Sequence, residues 1–430
     1  MGLKIISYLF LMDPILKINM IEGIKGLNEL LNDINVDDSS YKQLCKKNIT
    51  TNNNNKYKII RYDKSILSNN LIHSSGLLRS VIFNEQNKLI CFSPPKSIPW
   101  DSFVESEPTK KDYLVAEEFV EGTMINVFWD ESIGLLGSWE LATRNSVGGE
   151  VYFYKEIDPT KKQKTFREMF LEAADECNLV LSQLDRRFCY SFVLQHPENR
   201  IVVPFNRPAL YLVEVYEICK SDVAVVHVRS MNMAEVKKME PFQNTPRILF
   251  PKIYEDWETY DELKEAFASM NTPYYVMGFV IRNLLTGRRT KLRNPVYEMV
   301  RQLRGNQSKL QYQYLSLRKE GKVRDFLVFY PEYKQEFAFY RTILHAFTDT
   351  LYNNYVSCYI KKEKPLKEFP ENFRTHMFQL HKKYIDELKS NQLYVSNRVV
   401  IEFVNLMPTE LQMYSIHYSL RKREQDLYPL

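Results

Sequence analysis

Pro197-Glu-Asn-Arg-Ile-Val-Val-Pro204 decides how this chain is read. It lies between two apolar runs, Cys189–Leu194 and Ala209–Ile218, whose β-branched and aromatic content predicts strands. The octet is therefore a polar connection between strands. Taken alone it reads best as an Asx-type turn carrying a surface arginine. The Asn199-Arg200 pair is also a plausible phosphate or nucleotide contact, because a guanidinium presents a planar fork of donors. Further segments stand on either side in the chain: Glu121-Gly122-Thr123 and Thr143-Arg144-Asn145-Ser146 upstream, Gly278-Phe-Val-Ile281 and Lys291-Leu-Arg-Asn-Pro295 downstream. The glycines allow backbone to approach a ligand closely. Lys291 and Arg293 are two residues apart on a predicted strand and so project to one face.

In order and spacing, these segments resemble the nucleotide-binding motifs of phage-type ATP-dependent RNA ligases, within the covalent nucleotidyltransferase superfamily. The resemblance covers about residues 75 to 300. The variant Phe119-Val-Glu-Gly-Thr123 and the Asn-, Ile- and Lys-heavy style look like the giant-virus branch of that family. The resemblance implies an ATP-grasp-like ligase domain that uses ATP and Mg²⁺ and acts on RNA. In that family a Lys-x-Asp-Gly lysine attacks the α-phosphate of ATP; its position here is Phe119. A glutamate of the third motif is replaced by Val193, and the glutamate that opens the fourth by Met277. Phenylalanine offers no nucleophile for a phosphoramidate. The chain reads as an RNA ligase without its nucleophile and two of its carboxylates.

What the resemblance leaves is a binding shell: Arg79, Lys96, Glu121, Gly122, Arg144, Asn199, Arg200, Lys291 and Arg293. Glu121 takes the place of the family's aspartate, able to accept a ribose hydroxyl, and Arg144 replaces a lysine. Arg79 resembles an arginine placed near the triphosphate. Lys96, in Ser93-Pro-Pro-Lys96-Ser97, reads first as a turn lysine in solvent. The leading expectation is a protein that binds RNA ends or a nucleoside triphosphate without the standard lysyl-AMP step. Two alternatives stand beside it. One is an active ligase with Lys96 as displaced nucleophile and Glu117, Glu118, Glu121 and Glu198 as carboxylates; the other is an interaction scaffold acting through the C-terminal helices.

A chain of 430 residues, 44% hydrophobic and 13% aromatic, is long enough for two domains. No apolar window is long enough to span a bilayer, and the start of the chain is too weak for a signal peptide. A cytoplasmic protein, in a host cell if viral, is the expectation. The six cysteines are dispersed and His376 and His381 stand five apart, so no metal site is expected. The net charge of +5 hides a block from Arg282 to Gln335 with thirteen Lys/Arg against four Asp/Glu. Such a block suits a polyanion or a solvated helical face, and Tyr297, Tyr312 and Tyr314 tilt it towards base stacking.

Along the chain, residues 1–57 read as an N-terminal extension in which Thr51-Asn-Asn-Asn-Asn holds no fixed structure. Residues 58–294 read as an α+β domain of antiparallel sheets with helices inserted at Thr165–Ala174 and Thr259–Ser269. Residues 295–430 read as an all-α domain: Asn294-Pro295 opens a helix that Gly305 stops, and a capping box at Ser308-x-x-Gln311 opens the next. Longer runs follow at Tyr333–Lys361, Glu371–Ser390 and Arg398–Glu424, the last interrupted at Pro408.

Overall fold

The structure, a computed structural model, describes residues 14–19, 27–34, 43–152, 163–219, 225–243, 245, 247–307 and 309–418. The chain start, Ser308 and the end of the run to Glu424 lie outside the described residues. Two compact units are present, one of residues up to 299 apart from a short stretch near 155, the other from 300 onward.

The first unit is built from three antiparallel sheets, as the alternating short runs predict. Strands are β1 Ile15–Asn19, β2 Leu44–Thr50, β3 Lys56–Tyr62, β4 Val81–Asn84, β5 Leu89–Cys91, β6 Leu114–Glu118 and β7 Thr123–Asp130. They continue as β8 Ser138–Ala142, β9 Phe188–Gln195, β10 Ala209–Cys219, β11 Val225–Ser230, β12 Ile253–Tyr254, β13 Gly278–Asn283 and β14 Arg289–Arg293. A six-stranded sheet runs β1-β11-β10-β9-β7-β8, and two four-stranded sheets run β12-β6-β13-β14 and β2-β3-β4-β5.

The six-stranded sheet is apolar on both faces because it is covered on both. On one face Phe128, Cys189, Tyr216 and Val228 pack with Ile59, Ile82 and Phe92 of the small N-terminal sheet. On the other Ile125, Tyr190, Phe192 and Leu212 pack with the helix Phe166–Glu176. That helix begins where a capping box forms: Thr165 accepts from the Glu168 N–H while Glu168 accepts from the Thr165 N–H. Helices Trp100–Ser106 and Tyr260–Phe267 cover β6 and β13 through Phe103, Trp257, Leu263 and Phe279.

The Asn-rich stretch is ordered, contrary to the expectation from composition. It is the turn of the β2–β3 hairpin, closed by the Thr51 N–H donating to Asn55 O at 3.0 Å, with Asn54 at φ 62°. Asparagine tolerates this left-handed conformation, so a run that looks like low complexity serves as turn chemistry. β1 and β2, which precede it, belong to two of the sheets.

The second unit is all helical. Its helices are Leu310–Lys319, Val323–Phe329, Lys334–Tyr355, Glu371–Lys383, Asn397–Leu406 and Thr409–Ile416. Pro408 separates the last two, as a proline without an N–H should. Phe326 and Phe337 stack with centroids 4.8 Å apart and Tyr314 packs edge-on to Phe337. Tyr314 is 3% exposed and Tyr297, in the first unit, 1%, while the Tyr312 hydroxyl is bonded to Glu410. The expected stacking tyrosines are therefore occupied in packing. The helical period placed Tyr314 on the apolar side with Leu310 and Leu317, and burial of that side won.

Candidate functional site

β14 carries Arg289, Lys291 and Arg293 at period two, so the three cations line one face while Thr290, fully buried, faces the other way. The segment that follows β5 is fastened to this strand. The Ile98 N–H donates to Arg289 O at 2.8 Å, the Thr290 hydroxyl to Ile98 O at 2.9 Å, and Arg289 to Pro95 O at 3.3 Å. Lys96 is thereby carried to the cationic face, with its own N–H bonded to Gly76 O at 2.9 Å. Arg79 lies three residues past Gly76, and the hydroxyl of its neighbour Ser80 donates to Arg144 O at 3.0 Å. Arg79 and Arg144 are thus held together by a bond between their own backbone segments.

The result is a cluster of like charges. Burial first, and then Arg79, Arg289, Arg293 and Lys96, push the Lys291 amine down to about 6. Lys96 is lowered by burial and by Arg79, Arg144 and Arg293, and Lys64 chiefly by Arg144. Burial likewise lowers Arg79 and Arg289. Few acids answer this charge: Arg293 pairs with Glu298 at 3.3 Å, whereas Lys64, Arg79, Lys96, Arg144 and Lys291 have no carboxylate partner among the described residues. The Nε–H groups of Arg144, Arg289 and Arg293 are buried with no acceptor among the described residues. Such a set is what an anion with several oxygens satisfies.

Phe119 sits within this cluster. It follows β6 directly, donates its N–H to Gly278 O at 3.4 Å, and lies 5.1 Å below the Lys291 ammonium nitrogen and 5.8 Å from the Arg293 guanidinium. The quadrupole of the ring attracts the Arg293 guanidinium, and the Lys291 amine when it is protonated. Val193, at the third-motif position, is buried with Val120 and Val213 and backed by Met124 and Tyr211. Where the resemblance calls for a carboxylate there is a small apolar core, and Met277 is a thioether at the other such position. These side chains offer no hard oxygen, so the residues present do not fit a divalent metal at those two positions. Among the described residues no three His, Cys, Asp or Glu side chains gather into a metal-binding group.

The remaining candidates are committed elsewhere. Glu121 is 5% exposed and its carboxylate accepts from the N–H groups of Val202 and Val203 at 2.7 and 3.0 Å. It fastens the Pro197–Pro204 connection to the strand below, which corrects its expected role as a ribose acceptor. Asn199, 6% exposed, donates to the Thr123 hydroxyl at 2.8 Å, and Arg200 donates to Val202 O at 2.9 Å. The first-seen motif therefore holds the wall together, and these contacts do not reach the cationic cluster. Glu117 is one member of a buried triad in which Arg282 lies between it, at 2.8 Å, and Glu214. Glu118 accepts from the Lys252 N–H and Glu198 pairs with Lys164 at 2.9 Å. None of the four is presented as a metal carboxylate.

Gly122 and Gly278 have structural reasons to be glycine. Gly122 has φ 147° and a Cβ there would fall 2.4 Å from Leu194 O; Gly278 has φ 131° and a Cβ would fall 2.1 Å from Leu292 O. Neighbouring strands, and no ligand, exclude the side chain. Two cations were missed in the sequence: Arg289, which the same period-two count from Lys291 would have found, and Lys64, for which no local pattern exists. A cavity of about 1120 Å³ lies elsewhere, lined by Lys88, Trp129, Arg186 and Glu217 among others, and includes none of the cluster.

No protein-family model matches the chain. An RNA ligase of Rhodothermus phage RM378 is 25% identical over 290 residues, which are 62% of this chain and 64% of that protein. The chain thus spans a little under two thirds of the length of this curated relative. Among solved structures, an RNA ligase variant of Naegleria gruberi with ATP and Mn is 12% identical, covers 48% of this chain and 57% of its own, and superposes with a TM-score of 0.33. An apo variant of the same ligase is 14% identical over 48% and 56%, with a TM-score of 0.34. Superposition at that level adds nothing to the motif match, and the phage relative carries the assignment. In sequence the chain is thus similar to a phage RNA ligase, as the order of its motifs led one to expect.

Proposed function

We propose that this chain binds the polyphosphate of a nucleoside triphosphate, or the 5′-phosphate end of an RNA, in the cluster of Arg79, Lys96, Arg144, Arg289, Lys291 and Arg293, and that it does not use position 119 for covalent chemistry. The observation that carries the reading is the set of buried guanidinium N–H groups without an acceptor, in a cluster whose cations mostly lack a carboxylate. Cations buried together are costly unless an anion joins them. The chain keeps them beside an aromatic residue, at the position where the resemblance calls for a lysine.

Affinity for ATP and for an RNA oligonucleotide with a 5′-phosphate should both fall about tenfold or more in Arg79→Ala and Arg144→Ala, near 1.4 kcal/mol or above. The same RNA ending in a 5′-hydroxyl should bind more weakly to the parent protein. Equal affinities across these variants and RNA ends would remove the cluster as the site.

A further inference from the structure

Three cations of the cluster are amines: Lys64, Lys96 and Lys291. The first two are exposed on the surface, and their amines are lowered less than that of Lys291. Lys291 is half-buried on a strand, with its nitrogen 5.1 Å from the centre of the Phe119 ring. It reaches that ring across one strand, since β6 pairs with β13 and β13 with β14. Its amine and a lysine at 119 would therefore address the same space from the two sides of β13. Among the described residues it makes no hydrogen bond or ion pair that would tie the nitrogen down.

We infer that Lys291 is a relocated nucleophile which takes a nucleoside monophosphate from a nucleoside triphosphate held in the cluster. The amine nitrogen attacks the α-phosphorus and forms an N–P bond. The bond from α-phosphorus to the bridging oxygen breaks, pyrophosphate leaves with that electron pair, and the proton lost by the amine passes to water. The inference rests on the polyphosphate reading of the cluster.

Two physical requirements are met on this face. An amine is a nucleophile only when unprotonated, and burial among positive neighbours is the established way to achieve that near neutral pH; the Lys291 amine is held at about 6 by burial and by those neighbours. The departing pyrophosphate also needs charge stabilisation, which Arg79, Arg289 and Arg293 are placed to give without reorganising. A bound triphosphate raises the amine's pKa again, so the rate should climb with pH above neutrality.

The full chain would be incubated with ATP, GTP, CTP and UTP in turn, between about pH 6 and about pH 9. It would then be denatured in alkali, which preserves a P–N bond, weighed intact and mapped by peptide. Binding of ATP would be followed separately by calorimetry. The expected result is a gain of one nucleoside monophosphate on Lys291, forming faster as pH rises. It should be lost in Lys291→Arg, whose guanidinium stays protonated and offers no free amine, with ATP binding to that variant measured alongside so that loss of the adduct is separated from loss of the ligand. An adduct on Lys64 or Lys96, or no adduct although ATP binds, overturns the inference and leaves the binding reading standing. If ATP and its congeners fail to bind, both fall. Because the mapped parent protein decides the site, the test survives a variant that does not fold.

Discussion

At the scale of single residues, the chain shows how one substitution alters the chemistry of its neighbours. Phenylalanine at 119 presents a ring that Lys291 and Arg293 approach, at the position where the resemblance calls for a lysine. Phe119→Lys should therefore lower apo-protein stability by about 1–2 kcal/mol, since it removes the ring and adds a positive charge to the cluster. Inorganic triphosphate should restore the loss in a thermal melt. Glu121 yields a second expectation: Glu121→Ala leaves the buried N–H of Val202 without its acceptor and should cost about 2–4 kcal/mol in denaturant unfolding, with Glu121→Gln costing less. Lys291 gives a pH dependence. Its folded pKa, about 6, lies below the ordinary 10.5, so between these values the unfolded chain binds more protons than the native one. Stability of the apo protein should rise with pH through that window, and Lys291→Met should flatten the rise. These residues were visible in the sequence as types; their burial, which sets the sign of each effect, was not.

At the scale of elements, local rules read most of the strands and helices correctly. The runs Cys189–Leu194 and Ala209–Ile218 lie within β9 and β10, the capping residue Thr165 opens the predicted helix, and Pro408 breaks the last helical run. β6 escaped because Leu114–Glu118 ends in two glutamates and does not alternate cleanly, yet it sits between β12 and β13 with the Glu117–Arg282 pair satisfying its charge. Pairing across strands decided that element, and no window of five residues contains its partners. The two motif glycines belong to the same scale. Gly278→Ala should disrupt the β13–β14 ladder, because its Cβ would meet backbone that cannot swing away, and a loss above about 3 kcal/mol is expected. Circular dichroism melts of Gly122→Ala and Gly278→Ala would measure both; unchanged melting would show that neither contact is tight.

At the scale of the whole molecule, net charge conceals where charge is spent. The basic block from Arg282 to Gln335 divides between three cations of the cluster on β14, Arg288 just before that strand, one buried arginine in the triad with Glu117 and Glu214, and residues of the second unit. An RNA held chiefly by the cluster should release few counterions. The logarithmic salt slope for a 5′-phosphorylated oligonucleotide is expected near −2 to about −4, at roughly −0.7 for each phosphate neutralised. A slope near zero in a binding titration would show that the cluster does not meet the RNA. The α+β class, and the presence of Phe119, Val193 and Met277 where the resemblance calls for a lysine and two carboxylates, were legible in the sequence alone, because each depends on which side chain stands at a position or on a short periodicity. The gathering of Arg79, Lys96, Arg144, Arg289 and Lys291 around Phe119 was decided only by tertiary structure, as were the commitments of Glu117 and Glu121 to partners far along the chain. Charge and hydrogen-bonding capacity are properties of residues, whereas burial and proximity come from strands that pair across a hundred residues or more.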